Sequence, residues 1–206
     1  MKQIRMEKKL TRAEEYKRTQ QKIIQTANRL FMKKGYNAVS TRKIAKECGL
    51  TQPALYHHFH DKESIYLAVI HQITADIKQE FSRLNDHNLR ESPRVILTKM
   101  LLILIEKHPT NVMMMIEDIF TEFDQKNQYI LYELWQQTYL MPFKELFAEW
   151  AKHGLIREQL DIDAAARFCL SSIVPLTSKH SVSAQEPSLS NKLNTTIDFL
   201  LHGLLK

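Results

Sequence analysis

Apolar residues recur along this chain three and four positions apart, and polar residues fill the intervals. Ile23, Ile24, Ala27, Leu30 and Phe31 keep this spacing up to "KKGY", where two lysines precede Gly35 as at a helix terminus. A short segment follows with Ile44, Ala45 and Cys48 on one face, Ser40 or Thr41 as its cap, and Gly49 to end it. "LTQPALYHHF" then starts another short helix: Thr51 is placed to cap, Pro53 sits in the first turn where its missing N–H costs nothing, and Leu55 with Phe59 marks the buried side. Helix, glycine turn, helix is the helix-turn-helix pattern. Asp61 is placed to cap a longer helix, with Glu63 in its first turn and Ile65, Ala68, Val69, Ile73, Ile77 and Phe81 carrying it to about residue 83.

The same periodicity predicts helices over 92–107, 110–125, 127–152, 161–179 and 188–205. Pro142 and Pro175 fall inside their segments and should kink or split them, while Asp161 or Asp163 can cap the helix that follows Gly154. No alternating segment is bounded by hairpin signals, so the expected fold is all-α with about nine helices. Its expected parts are a basic arm or frayed helix start over 1–15, a helix-turn-helix domain over 16–62 and a helical regulatory and dimerisation domain over 63–206.

Composition sharpens this picture at two points. Four glycines and six prolines in 206 residues fit a helical protein. Charge is uneven: residues 1–62 carry 15 Lys or Arg against 5 Asp or Glu, and the rest of the chain carries 14 against 18. The positive field is thus confined to one end, which points to nucleic acid or an acidic membrane surface there. The start "MKQIRMEKKL" has no apolar core of a signal peptide, and "MLLILI" is too short to span a bilayer. Cys48 and Cys169 are expected as buried free thiols of a reducing cytoplasm.

"IIQTANRLFMKKGYNAVSTRKIAKECGLTQPALYHHFHDKESIYLAVI" resembles the amino-terminal DNA-binding domain of the TetR family of bacterial transcriptional regulators. The features in register are Ala27, Leu30 and Phe31; Gly35-Tyr36; Ser40-Thr41 with Ile44-Ala45; Gly49-Leu50; Leu55-Tyr56; His58-Phe59; and Lys62-Glu63. They cover about a quarter of the chain, and the remainder matches in form only. The resemblance implies a regulatory part that binds a small molecule, two final helices that dimerise, and repression by occupying an operator.

On residue chemistry, a helix starting at Gln52 reads a major groove only through outward side chains at its amino end: Thr51, Gln52, Pro53, Ala54, Tyr56 and His57. Gln52 has the carboxamide that pairs bidentately with adenine, and Pro53 and Ala54 offer apolar surface to a thymine methyl. Tyr56 and His57 suit phosphate or sugar contacts. Thr41, Arg42 and Lys43 at the start of the preceding helix form a phosphate site, and Lys62 a second clamp. Double-stranded DNA is therefore the expected partner. The histidines of "YHHFHDKE" have neither metal spacing nor a cysteine partner, so no metal is expected, with His58 packed and hydrogen-bonded and His57 on the DNA side. No glycine-rich phosphate loop or nucleophile elbow appears, and neither enzyme activity nor a cofactor is expected.

Beyond the head, "VMMMIEDIF" and the aromatic run after it suit either a pocket for hydrophobic effectors or a plain helical core. Met114, Glu117, Tyr132, Trp135 and Tyr139 are the candidates, the three aromatics because they share one stripe. A carboxylate from Glu106, Glu117, Asp118 or Glu122 in that cavity would favour a cation, although lipophilic cations, bile-salt-like amphiphiles and fatty-acyl compounds all remain open. Ala165, Phe168, Cys169 and Ser172, with Leu193, Ile197, Leu200, Leu201 and Leu204, are candidate stripes for a homodimeric four-helix bundle, as a major-groove reader with one short helix usually needs two copies. The competing readings are a DNA-binding adaptor whose carboxy-terminal helices bind a protein, and a peripheral membrane protein, which leaves the glycine turn and Gln52 without a role.

Overall fold

The structure, a computed structural model, describes residues 11–85, 91–107, 112–177 and 187–205, with the side chains of 85, 112–116 and 177 outside that description. Most of the basic arm and of the polar connection read at 179–189 therefore lie outside the described residues. The helices are α1 (Arg12–Lys34), α2 (Thr41–Cys48), α3 (Gln52–Tyr56), α4 (Lys62–Asn85), α5 (Pro93–Lys107), α6 (Val112–Glu122), α7 (Gln125–Trp135), α8 (Met141–Lys152), α9 (Ile162–Ser171), α10 (Ile173–Thr177) and α11 (Leu189–Leu204). A π-helical turn, Gln136–Leu140, joins α7 to α8 without a loop, and a single turn residue separates α9 from α10. Counting these joined pairs once leaves nine rods among the described residues, as the periodicity predicts. Their only β feature is an isolated antiparallel bridge between Ile156 and Leu205.

The chain divides into two compact units, Met1–Ile70 and His71–Lys206. The division falls within α4, eight residues beyond the end of the helix-turn-helix read from the sequence, because Ile65, Tyr66, Val69 and Ile70 on the first turns of α4 are buried.

Local chemistry explains the first unit. Thr11 and Glu14 form a reciprocal capping box that starts α1 at Arg12, four residues before the domain start read from the sequence. Ser40 rather than Thr41 caps α2 by accepting from the Lys43 backbone N–H, and Thr51 caps α3 through the Ala54 N–H. Asp61 Oδ1 accepts from the Ser64 N–H at 2.7 Å and starts α4. Gly49, at φ 68° and ψ 28°, ends α2 in the left-handed region where a Cβ costs about 1–2 kcal/mol. The interior holds Ile23, Ala27, Phe31, Ile44, Leu55 and Ile65, with Phe31, Tyr36 and Tyr66 meeting edge-on or stacked at centroid distances of 5.1–5.8 Å. A five-residue helix is too short to hold itself together. Complete burial of Leu55 keeps α3 in place, worth about 1.5–3 kcal/mol.

In the second unit Ile96, Leu97, Leu101 and Leu104 of α5, Phe143 and Phe147 of α8, Ala166 and Cys169 of α9, and Ile197 of α11 are buried. Arg94 pairs with Asp198, tying α5 to α11. Arg157 donates from Nη2 to the His202 carbonyl at 2.8 Å and from Nε to the Leu205 carbonyl at 3.3 Å, and its backbone N–H donates to Leu204. The last carbonyls of α11 are thereby satisfied.

Pro142 accounts for the π turn. It lacks the N–H that would bond the Thr138 carbonyl, and its ring crowds that position, so the helix widens and Met141 donates to Gln136, five residues back. The chain gains one residue relative to an α-helix at this point. Buried positions run from Leu131 through Thr138, Tyr139 and Leu140 within the π turn to Phe143, Leu146, Phe147 and Trp150. Pro175 has a similar effect: the helix breaks at Ser172.

Candidate nucleic-acid interface and effector pocket

In the first unit, α2 and α3 are joined at their amino ends by side chains. The hydroxyls of Thr41 and Tyr56 lie 3.1 Å apart, and Gln52 Nε2 is 3.4 Å from Thr41 Oγ1 and 3.5 Å from the Tyr56 oxygen. Hydrogen bonding from Thr41, then Gln52, holds the Tyr56 phenol below its usual pKa. Arg42, Thr51, Pro53, Tyr56 and His57 are exposed, whereas Thr41, Lys43, Gln52, Ala54 and Lys62 are half-buried. The Lys62 ammonium stands 3.8 Å above the centre of the Tyr36 ring, a cation–π contact that fixes a charge at the first residue of α4.

Two features of this face escape the sequence. Lys34, at the end of α1, has its pKa lowered chiefly because the Lys43 side chain lies beside it, so two helices deliver cations to one spot. Tyr16 packs against both histidines that follow α3, tilted over His58 at a centroid distance of 4.3 Å and edge-on to His57 at 6.0 Å. Nothing in the spacing of α1 marks either one, because both depend on where its ends fall in space. His58 is packed, but its Nδ1 is buried without a hydrogen-bond partner among the described residues, and burial lowers its pKa. The expectation of a hydrogen-bonded His58 fails at that nitrogen. His60 binds Asp61 at 3.0 Å instead of sharing a site with His57.

In the second unit a pocket of about 230 Å³ opens between α6, α7 and α9. Gln128, Leu131, Tyr132 and Trp135 line it from α7, Ile119 and Phe120 from α6, and Arg167 from α9. Tyr132 and Trp135 are stacked at 6.0 Å. Tyr139, predicted on the same stripe, is turned into the core, where burial raises its phenol pKa. The π turn is the reason: one added residue rotates everything after Trp135 by about a quarter turn or more. Glu117 is exposed and does not line the pocket, and the Met114 side chain lies outside the described residues.

Arg167 is the residue that the sequence did not suggest. Its Nε donates to Asp163 at 2.6 Å, and the same carboxylate accepts from Lys144 at 2.8 Å. These two contacts, Lys144 first, hold the Asp163 pKa below its usual range.

On the dimerisation stripes, Cys169, Leu193, Ile197, Leu200, Leu201 and Leu204 are buried within the chain's own core, Ala165 is nearly so, and Ser172 is half-buried. One face of a helix cannot fill its own core and also meet a second subunit. Phe168 is the exception at 66% exposed, and Phe199, absent from the predicted stripe, is 74% exposed. Both border a hollow of about 280 Å³ between α9 and α11 that Ala164 and Gly203 also line. Cys48 and Cys169 are free and buried, and burial pushes the Cys169 thiol up to about 12.

A short capped helix held after a glycine turn on a basic, all-helical chain defines a helix-turn-helix DNA-binding protein of the transcription-regulator class. Residues 23–69 match the model of bacterial regulatory proteins of the tetR family. YerO of Bacillus subtilis, an HTH-type transcriptional regulator, is 25% identical over 191 residues, covering 89% of this chain and 65% of YerO. YuxN of the same organism, also an HTH-type regulator, is 39% identical over 85 residues, or 41% of this chain and 28% of YuxN. The chain thus matches less than two thirds of the length of these curated relatives. The crystal structure of AibR in complex with isovaleryl coenzyme A and operator DNA superposes with a TM-score of 0.69 at 21% identity, over 89% of this chain and 97% of AibR, which shows a shared fold. The family match therefore covers the helix-turn-helix and the start of α4, and beyond it the likeness is one of fold. No helix among the described residues is long and apolar enough to cross a membrane.

Proposed function

We propose that the chain is a ligand-responsive transcriptional repressor that binds a palindromic operator as a homodimer and leaves it when a small hydrophobic or amphiphilic effector binds. It has no enzymatic role and works in the cytoplasm. The observation that carries DNA reading is the Thr51-capped α3, whose Gln52 is held by contacts of 3.4 and 3.5 Å, long enough to exchange for a base edge. Thr51, Pro53 and Ala54 contact bases or sugar beside it, and Tyr56 and His57 the backbone. Thr41, Arg42, Lys43 and Lys62 take phosphates, with Lys34 joining Lys43 because an anion relieves two adjacent ammonium groups.

The α6–α7–α9 pocket supports an effector over a protein partner for the carboxy-terminal helices. Tyr132 and Trp135 are its proposed aromatic contacts. Dimerisation uses the outer faces of α9 and α11 through Phe168 and Phe199. The test is a mobility shift on the gene's own upstream region at two salt concentrations, with Gln52→Ala and Lys62→Ala. Loss of base preference in the first, and uniformly weaker binding with a salt slope shallower by about 1 in the second, support the reading. Unchanged operator binding in both refutes it.

A further inference from the structure

The pocket's rim carries a charge that its walls do not balance. Asp163 is shared between Lys144 at 2.8 Å and Arg167 at 2.6 Å, so one carboxylate faces two cations and a positive charge remains. Among the described residues no aspartate or glutamate lines the pocket. Gln128 has committed its amide N–H groups to the backbone carbonyls of Phe123 at 2.8 Å and Phe120 at 3.1 Å. Arg167 engages Asp163 through Nε and also meets the Tyr132 phenol inside the pocket, which leaves further donors of its five N–H groups in a fixed fork. The remaining walls, Phe120, Leu131, Tyr132 and Trp135 among them, are apolar or aromatic.

We infer that this pocket takes a small amphiphile with one carboxylate, its apolar body against Trp135 and Phe120 and its carboxylate on Arg167. The inference rests on the reading of this cavity as the effector site and reverses the sign of charge that a buried glutamate would have favoured. A volume of about 230 Å³ lies below the roughly 300–1,000 Å³ usual for drug-sized ligands, which selects a compact monoanion. A cation is disfavoured by Arg167, and no carboxylate among the described lining residues offsets it.

The probes are a matched series: 4-phenylbutyrate, its neutral amide and 4-phenylbutylamine, titrated into the full chain by calorimetry and by tryptophan fluorescence. The carboxylate should bind at least tenfold more tightly than the amide, and the amine most weakly. Arg167→Gln should erase that preference while leaving amide affinity within about twofold, and Arg167→Lys should keep part of it. Circular dichroism confirms that each variant is folded. Equal affinity for the three probes, tighter binding of the amine, a preference that survives Arg167→Gln, or no saturable binding of any probe at millimolar concentration would overturn the inference. Operator affinity without ligand is measured on the same samples, so an intact mobility shift with no carboxylate preference refutes this inference alone. A lost shift refutes the repressor reading.

Discussion

At the scale of single residues, two buried polar groups, the Thr138 hydroxyl and the His58 Nδ1, have no hydrogen-bond partner among the described residues. Thr138 is fully buried within the π turn and its hydroxyl finds no hydrogen bond among the described residues. An unpaired buried hydroxyl costs about 1–3 kcal/mol, so Thr138→Val should stabilise the protein by about 1 kcal/mol, seen as a higher denaturant midpoint at unchanged slope. A lower midpoint would mean that the hydroxyl has a partner. His58 raises a question of sign. Burial lowers its folded pKa, so below the ordinary value near 6.5 the unfolded chain binds the additional proton. Stability of the head is therefore complete above that pH and falls as acidification proceeds toward the folded pKa. Denaturant titrations from about pH 7 to pH 5 should show this loss, and His58→Gln should flatten it; an equal slope in the variant assigns the acid response elsewhere.

At the scale of elements, the caps and turns of the head were legible because they depend on neighbours in sequence. Ser40, Thr51, Asp61, Gly49 and Pro53 each act within four residues of where they sit. Gly49→Ala should cost about 1 kcal/mol from its φ of 68° alone, since nothing lies within 4 Å of the added Cβ. A smaller change in chemical-denaturation midpoint would show that the turn relaxes. Leu55→Ala, at a fully buried position on a five-residue helix, should cost about 2–5 kcal/mol and reduce operator binding with it. What the pattern misplaced was phase: Pro142 announced a disturbance, but not that it would take the form of one added residue upstream, and so Tyr139 was read onto a face that it does not share with Trp135. The start of α1 was left open between an arm and a frayed helix for another reason. Thr11 and Glu14 cap it where no apolar residue yet marks a face.

At the scale of the whole molecule, the sequence carried fold class and charge distribution but not the division of labour between two faces of one helix. In α9 and α11, Cys169 and Ile197 belong to the core, and Phe168 and Phe199 to the surface. Apolar residues of both kinds lie within a few positions, and only the packed structure separates them. Phe168→Glu with Phe199→Glu should convert a dimer to a monomer in sedimentation while the thermal transition stays within a few degrees, since neither ring contributes to the chain's own interior. The monomer should bind a half-site weakly and the full palindrome no better. A dimer that persists in the double variant places the subunit contact on another surface.

The turn at 136–140 also has a meaning for kinship. Removing one residue there would hand Trp135 and Phe143 to the same side, leaving either the cavity or the interior without its ring. A relative shorter by a single position in this stretch must therefore have shifted its downstream alternation of oily and watery letters in step. Where a gap falls opposite these five residues, it records a change in which way a helix looks, and comparison of effector preferences across that gap should begin from the shifted frame.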